Sequence, residues 1–472
     1  MPHIDNDTIC AIATPPGRSG VGIVRVSGPL AASIAKNILG LDPTPRYAHY
    51  SDFTGADGEV LDQGIGLFFR QPESFTGEDV FELQGHGNSH VLASLRDRIL
   101  SLGARLARPG EFSERAFLNN KIDLVQAEAI ADLIDSSSQQ AVRSALRTLR
   151  GHFSRQISLV IEKLIAIRVD IEAAIDFSDE DISVISNTRV EQSLTDILED
   201  LDKIFEGAQQ GAILKQGMNV VLAGKPNAGK SSLLNALSGF DSAIVTPVPG
   251  TTRDVLTEPI TLDGLPLNIV DTAGLRDSSD IVEREGVKRA KLAIDQADQI
   301  LLIVDQLTHG QDTVSADTVE KLLASLGLIG DASAGIGSLL NRTTLVFNKT
   351  DLVKDGKTGL DSVDCGGIEI TVINISAKTG SGVELVREHL KCRAGYNPGT
   401  EDVFVARQRH LIALEAAAEL VKSAIQNMDA KSPLELLAED LRLAQKELGA
   451  ITGEFTSDDL LGEIFSTFCV GK

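Results

Sequence analysis

Tryptophan is absent from the 472 residues, and aromatic side chains together make up only 4% of them. That scarcity weighs against an architecture of β-sandwiches and against an aromatic platform for single-stranded nucleic acid, so helices and aliphatic strands are expected to dominate. Cysteine is nearly as rare. Cys10, Cys365, Cys392 and Cys469 lie far apart, without metal-ligand spacing and too few for a disulfide scaffold, which favours a reducing, cytoplasmic setting. No apolar run approaches the roughly 18 residues of a membrane span. The first ten residues carry His3, Asp5 and Asp7 and lack both a basic start and an apolar stretch, so no signal peptide is visible. Positive charge is also short, with 44 Lys and Arg against 67 Asp and Glu and a formal net charge of -23. The overall field therefore does not attract polyanions, and any nucleic acid must meet a local basic patch.

What is present is ordinary globular composition, 42% hydrophobic and 24% charged, in a chain long enough for about three domains at roughly 150 residues each. Gly and Pro punctuate residues 1–118 between the short aliphatic runs Val21–Val26, Ile65–Phe69 and Val80–Leu83, the pattern of an α+β unit. Across residues 119–216 proline vanishes and apolar residues recur at three- and four-residue spacing through Leu146–Ile175 and Val190–Phe205, which predicts long amphipathic helices. Residues 217–385 alternate strand-like runs (Leu267–Val270, Ile300–Val304, Thr344–Phe347, Ile368–Ile375) with helical stretches, which predicts a mainly parallel sheet covered on both faces. Residues 386–472 turn helical again. Ser432-Pro433-Leu434-Glu435 offers an N-cap, a first-turn proline and a capping-box glutamate, and Thr456-Ser457-Asp458-Asp459 offers a second start. The fold class expected is multidomain α/β and α, with a discontinuous all-α domain formed from two segments and an α/β domain inserted between them.

Gly224-Lys225-Pro226-Asn227-Ala228-Gly229-Lys230-Ser231 satisfies the G-x-x-x-x-G-K-[ST] pattern directly after an apolar strand and before a helix. Such a loop curls backbone N–H groups around phosphates, with Lys230 on the terminal phosphates and the Ser231 hydroxyl on Mg²⁺; Ser232 follows in the same helical turn. Downstream, Asp271-Thr272-Ala273-Gly274 closes a strand: a carboxylate suited to the Mg²⁺ shell and a glycine whose N–H can approach a γ-phosphate. Gly250-Thr251-Thr252-Arg253 lies between the two, and Thr252 is the candidate switch hydroxyl that completes the metal shell. In Asn348-Lys349-Thr350-Asp351, the Asp351 carboxylate can accept from guanine N1 and its exocyclic amine, which adenine cannot supply, and the Lys349 stem can lie against the base. Ser376-Ala377-Lys378 supplies backbone N–H to the guanine oxygen. In this order the elements resemble the G domains of translation-factor-related GTPases and predict GTP binding.

Hydrolysis needs a group that orients water, and the residue after D-x-x-G is Leu275, which cannot do so. Glu283, in the acidic stretch Asp280–Glu285, is the candidate, with a solvated surface face as the alternative. Charge stabilisation at the phosphates has two sources open to it. Asn227 with carbonyls from Thr246–Thr251 can hold a monovalent cation, or Arg253 or Arg276 can supply a guanidinium.

Outside the G domain, Ala13-Thr14-Pro15-Pro16-Gly17-Arg18, Phe75-Thr76-Gly77-Glu78-Asp79, Glu82-Leu83-Gln84-Gly85-His86-Gly87, Arg108-Pro109-Gly110-Glu111-Phe112-Ser113 and the terminal Phe468-Cys469-Val470-Gly471-Lys472 resemble the MnmE (TrmE) family of tRNA-modification GTPases over essentially the whole chain. The resemblance implies a homodimeric, potassium-stimulated GTPase with an N-terminal domain that binds a tetrahydrofolate derivative (5-formyl or methylene form), a helical domain and an inserted G domain. With the FAD-dependent partner MnmG, in a heterotetramer, it implies that an aminomethyl or carboxymethylaminomethyl group is installed on carbon 5 of the wobble uridine of certain tRNAs. Carried over by motif, the folate contacts are Arg25, Glu82, Lys121 and Lys472; potassium is held by Asn227, Thr246, Val248 and Thr251; and Glu283 orients the hydrolytic water. Arginine and lysine suit a glutamate tail, and a glutamate suits paired pterin N–H donors. The family match also makes the Cys469 tail functional, against a prenylation reading that its Gly471 and Lys472 and the lack of a preceding polybasic stretch oppose. Thr246-Pro247-Val248-Pro249 departs from the pattern by carrying two prolines, which stiffen the loop and leave carbonyls as its ligands. The rival class is an RNA-binding regulatory or ribosome-assembly GTPase, but no G-x-x-G clamp in basic surroundings follows the G domain. The Gly- and Ala-rich stretch Leu307–Arg342 matches no motif and is expected to be a loop-and-helix elaboration.

Overall fold

A computed structural model describes residues 7–136, 138–176, 187–239, 257–271, 293–309, 316–325, 336–353, 356–397, 403–430, 432–454, 458–466, 468–469 and 471. The chain forms two compact units, one made of Met1–Ile134, Leu146–Ile204 and Ile412–Lys472, the other of Asp135–Ala145 and Phe205–Leu411.

The first unit opens with a six-stranded sheet: β1 (Ile9–Ile12), β2 (Ser19–Ser27), β3 (His49–Thr54), β4 (Val60–Phe69), β5 (Val80–Gly87) and β6 (Arg105–Leu106), in the order β3-β4-β5-β2-β1-β6. All pairings are antiparallel except β1 with β6. Period-2 alternation decides what each face carries. On β5, Phe81 and Leu83 are fully buried and join Val24 and Val26 of β2 in a core with Ile34, Ile38, Leu95 and Ile99 of the helices Ala31–Leu39 and Ser89–Ser101, whereas Glu82 and Gln84 point the other way. The helical part follows. Asp123 and Gln126 cap the helix Leu124–Asp135 reciprocally, each side chain accepting from the other's backbone N–H at 3.0 and 2.8 Å. The stretch read as one long helix from Leu146 is two, Gln139–Leu149 and His152–Asp176, because Gly151 adopts a left-handed backbone (φ 76°) between them. His152–Asp176 packs against Leu434–Thr452 from the far end of the chain. Pro433 stands at the N-cap of that helix, not in its first turn, and no side chain caps it, so the capping box expected there does not form.

The second unit is built on a seven-stranded sheet: β7 (Met218–Gly224), β8 (Thr257–Leu262), β9 (Leu265–Asp271), β10 (Gln299–Asp305), β11 (Thr343–Asn348), β12 (Gly359–Asp364) and β13 (Glu369–Asn374), in the order β12-β13-β11-β10-β7-β9-β8. The five central strands are parallel, and only the two edges run antiparallel. β7 and β10 are almost wholly buried, as strands covered on both faces must be. The β8–β9 hairpin turns at Asp263-Gly264, both with positive φ (50° and 99°). Asp263 accepts from Arg387 at 2.9 Å and Lys391 at 2.7 Å, both on the helix Val383–Arg393, and its carbonyl accepts from the Tyr396 hydroxyl at 3.1 Å. The same hydroxyl reaches Gln140. Lys391 and Arg387 hold the Asp263 carboxyl below the ordinary carboxylate range. Of the Leu307–Arg342 stretch, the helices Ala316–Ser325 and Ile336–Asn341 are described.

Candidate functional site

In the parallel sheet the carboxyl ends of β7, β10 and β11 lie side by side, the place where open α/β sheets hold ligands. Gly224 sits beside Ile303, and Asp305 beside Asn348. From Gly224 the loop runs to the helix Lys230–Ser238, whose N-cap is Gly229 in the left-handed region (φ 98°). Asn227 also takes a left-handed backbone (φ 66°), which asparagine tolerates better than most residues, and its side chain is exposed. Lys230 is buried, its ammonium donating to the carbonyls of Gly224 at 3.0 Å and Lys225 at 3.2 Å. Ser231 and Ser232 are exposed on the first helical turn. Such a loop, with its helix N-terminus and a lysine held inside it, has the donors and the positive field that polyphosphate requires.

Asn348 ties this loop to the segments Asn348–Asp351 and Ser376–Lys378. It is buried; its Nδ2 donates to the Ala228 carbonyl at 2.9 Å, and its Oδ1 accepts from the Lys349 and Ala377 amides at 2.8 and 2.9 Å. The approach is so close that a Cβ on Gly229 would lie 2.1 Å from Asn348 Nδ2, which explains glycine there. In Ser376-Ala377-Lys378, the turn expected to supply backbone N–H to the guanine oxygen, the Ala377 N–H donates to the buried Asn348 side-chain carbonyl. Asp351 is exposed, with Oδ1 accepting from the buried Ser376 hydroxyl at 2.5 Å, so its carboxylate is oriented by a neighbour on the next loop. Lys349 also adopts a left-handed backbone (φ 70°), and its ammonium pairs with Asp305 at 2.7 Å. Asp271 ends β9 opposite Leu222, two residues before Gly224. Thr246, Val248, Thr251, Thr252, Thr272, Ala273, Gly274, Glu283 and Lys472 lie outside the described residues, as do Arg253, Leu275 and Arg276.

A second constellation stands on the antiparallel sheet. Arg25 on β2 and Glu82 on β5 are cross-strand neighbours, and Arg25 Nε donates to Glu82 Oε1 at 2.8 Å. The guanidinium lies 6.0 Å from the Phe75 ring centre and 5.7 Å from that of buried Phe112, and its Nη1 donates to the Gly471 carbonyl at 3.3 Å. Residues 446 positions apart thus meet. The tail reaches this point because Phe468 packs on Phe465 and Gly110 N–H donates to the Cys469 carbonyl at 3.3 Å; Cys469 itself is exposed. A Cβ at Gly471 would come 2.8 Å from the Ile12 carbonyl, so only glycine fits there. The Lys121 ammonium donates to the Pro72 carbonyl at 2.9 Å, on the loop that carries Phe75.

Beneath the pair lies a charged network that sequence reasoning missed. Glu111, buried, accepts from Arg105 at 2.6 and 2.9 Å, from Arg115 at 3.2 Å and from the Arg108 amide at 2.7 Å. Arg115 also donates to Asp7 at 2.6 Å and to Glu78 at 3.1 Å, and Ser27 donates to Glu78 at 2.7 Å. Burial alone raises the Glu111 pKa, but Arg105, the Arg108 amide and Arg115 outweigh it and hold the carboxyl below its ordinary value. The signal was present in Arg108-Pro109-Gly110-Glu111-Phe112-Ser113, a motif with no assigned role.

The family profile described as MnmE helical domain matches residues 124–469, and that described as GTP-binding protein TrmE N-terminus matches residues 8–121. Curated relatives named tRNA modification GTPase MnmE include one from Hydrogenovibrio crunogenus, 53% identical over all of both chains, and one from Proteus mirabilis, 54% identical over 99% of each. A third, from Vibrio cholerae, is 53% identical over 99% of each chain. With identity of this order from end to end and both profiles matched, the chain belongs to the MnmE family of tRNA modification GTPases.

Proposed function

We propose that this GTPase is potassium-stimulated and, with the FAD-dependent partner MnmG, installs an aminomethyl or carboxymethylaminomethyl group on carbon 5 of the wobble uridine (position 34) of certain tRNAs. The loop Gly224–Ser231 cradles the phosphates, with Lys230 on the terminal ones, and Ser231, Thr252 and Asp271 hold Mg²⁺. Asp351 reads guanine, with the Ser376-Ala377-Lys378 turn supplying backbone N–H to its oxygen. Asn227, Thr246, Val248 and Thr251 hold K⁺, which supplies the positive charge that an arginine finger supplies elsewhere, and Glu283 orients water. A reduced folate, the one-carbon source, is held by Arg25, Glu82, Lys121 and Lys472 in an N-terminal domain that also dimerises.

The observation that carries this reading is the meeting of Arg25, Glu82 and the Gly471 carbonyl between two aromatic rings. A guanidinium, a carboxylate and a carbonyl beside flat apolar faces match the donors, acceptors and ring of a pterin. With 44 basic against 67 acidic residues, tRNA affinity of this chain alone is expected to be modest and salt-sensitive, the partner supplying the basic surface. Mass analysis of wobble uridines in cells lacking the protein tests the reading: loss of the carbon-5 group supports it, and unchanged anticodons would sink it. The cation reading has its own check. GTP turnover should rise when K⁺ replaces Na⁺, and equal rates in both salts would remove potassium from the site.

A further inference from the structure

Lys349 is fixed at both ends. At one end its backbone is left-handed and its N–H donates to the buried Asn348 Oδ1 at 2.8 Å. At the other its ammonium donates to Asp305 Oδ2 at 2.7 Å, with the two side chains 28% and 19% exposed. Asp305 is itself immobilised. It ends the buried strand β10 in register with Asn348, and its Oδ1 accepts from the Leu307 N–H at 3.0 Å. A free lysine stem has four rotatable bonds and a strongly hydrated head, so it makes a poor wall for a flat ring unless something holds it extended. The fixed acceptor at the end of β10 supplies such a hold.

We propose that Asp305 is a positioning residue for nucleotide recognition: it holds Lys349 extended as a wall for the guanine ring and acts on the base, not on the phosphates. The inference rests on the GTP-binding reading above. It follows that Asp305 contributes to GTP and GDP binding equally and little to the rate once the nucleotide is bound.

The test uses the full chain, titrated with fluorescent GDP and with a fluorescent non-hydrolysable GTP analogue, together with steady-state GTP hydrolysis. D305N, which keeps an acceptor for the Leu307 N–H, and D305A should weaken both nucleotides by about tenfold, the scale of one lost charge-assisted contact. KM should rise while kcat stays within about twofold. In a double-mutant cycle, D305A combined with K349A should bind no more weakly than K349A alone, because the two residues act as one element. Unchanged affinity in both Asp305 variants, a loss confined to the triphosphate, or losses that multiply in the double variant would each overturn the proposal. An unsubstituted chain that bound no guanine nucleotide would instead defeat the GTP-binding reading, a failure distinct from these.

Discussion

Replacing Glu111 with alanine removes the central acceptor of a buried charged network and leaves Arg105 and Arg115 facing one another across the gap. Arg115 is only 4% exposed and keeps Asp7 and Glu78 as partners, so the loss is smaller than for an isolated buried cation. Breaking a buried ion pair costs about 3–5 kcal/mol, and the remaining carboxylates put this case near the lower bound, about 3 kcal/mol. For a unit of roughly 250 residues, that is a fall in Tm of about 6–12 °C. Glu111→Gln keeps the shape but not the charge and should lose part of this. The carboxyl's pKa is depressed on folding below its ordinary value of 4.5, so its stabilisation is fully present above that pH and is lost as pH falls through the lower folded value. The difference between wild type and Glu111→Gln should therefore hold at pH 7 and close in strong acid. Thermal unfolding followed by circular dichroism measures both. A Glu111→Ala shift below about 2 °C at pH 7, or a gap that widens on acidification, would refute the reasoning.

Asp351→Asn exchanges an acceptor for a mixed donor and acceptor, so GTP affinity should fall by about a hundredfold while xanthosine triphosphate, which carries an oxygen where guanine carries its amine, gains; competition titration with both nucleotides decides it. Native alkylation at pH 8 should label Cys392 and Cys469, which are exposed, and spare Cys10 and Cys365, which are buried. Burial pushes the Cys10 thiol up to about 11, so rapid labelling there, read by peptide mass, would contradict the packing of β1. Truncation after Phe468 should weaken reduced-folate binding about as much as Arg25→Ala, measured by calorimetry; unaltered affinity would separate the tail from the proposed pterin site.

Much of the second unit was legible in the sequence. Its strand runs each became a strand, and the glycine-lysine loop fell between β7 and a helix, because such features depend on residues close together in the chain. Pairings across the fold left no such trace. Asp7 with Arg105 and Arg115, Asp263 with Arg387 and Lys391, and Asp305 with Lys349 join charges separated by 44 to 128 positions, and no periodicity links them. Ala377 shows a different gap. Its motif marked the turn after β13, but that its N–H donates to a buried asparagine depended on a residue 29 positions away that needed a donor. Helix ends misled for a local reason: Gly151 interrupts a run that is apolar at helical spacing on both sides of it.

Fastening the β8–β9 turn has a mechanical consequence. Thr257 and Val270 are partners at the open end of this ribbon, while Asp263 is bolted to Arg387, Lys391 and Tyr396 at the closed end. A strand of six or seven residues is about 20 Å long and cannot stretch, so displacement at the open end converts into tilt about the bolted turn. The chain therefore enters this stiff arm at Thr257 and leaves it at Asp271 from adjacent points, and the two points tilt together.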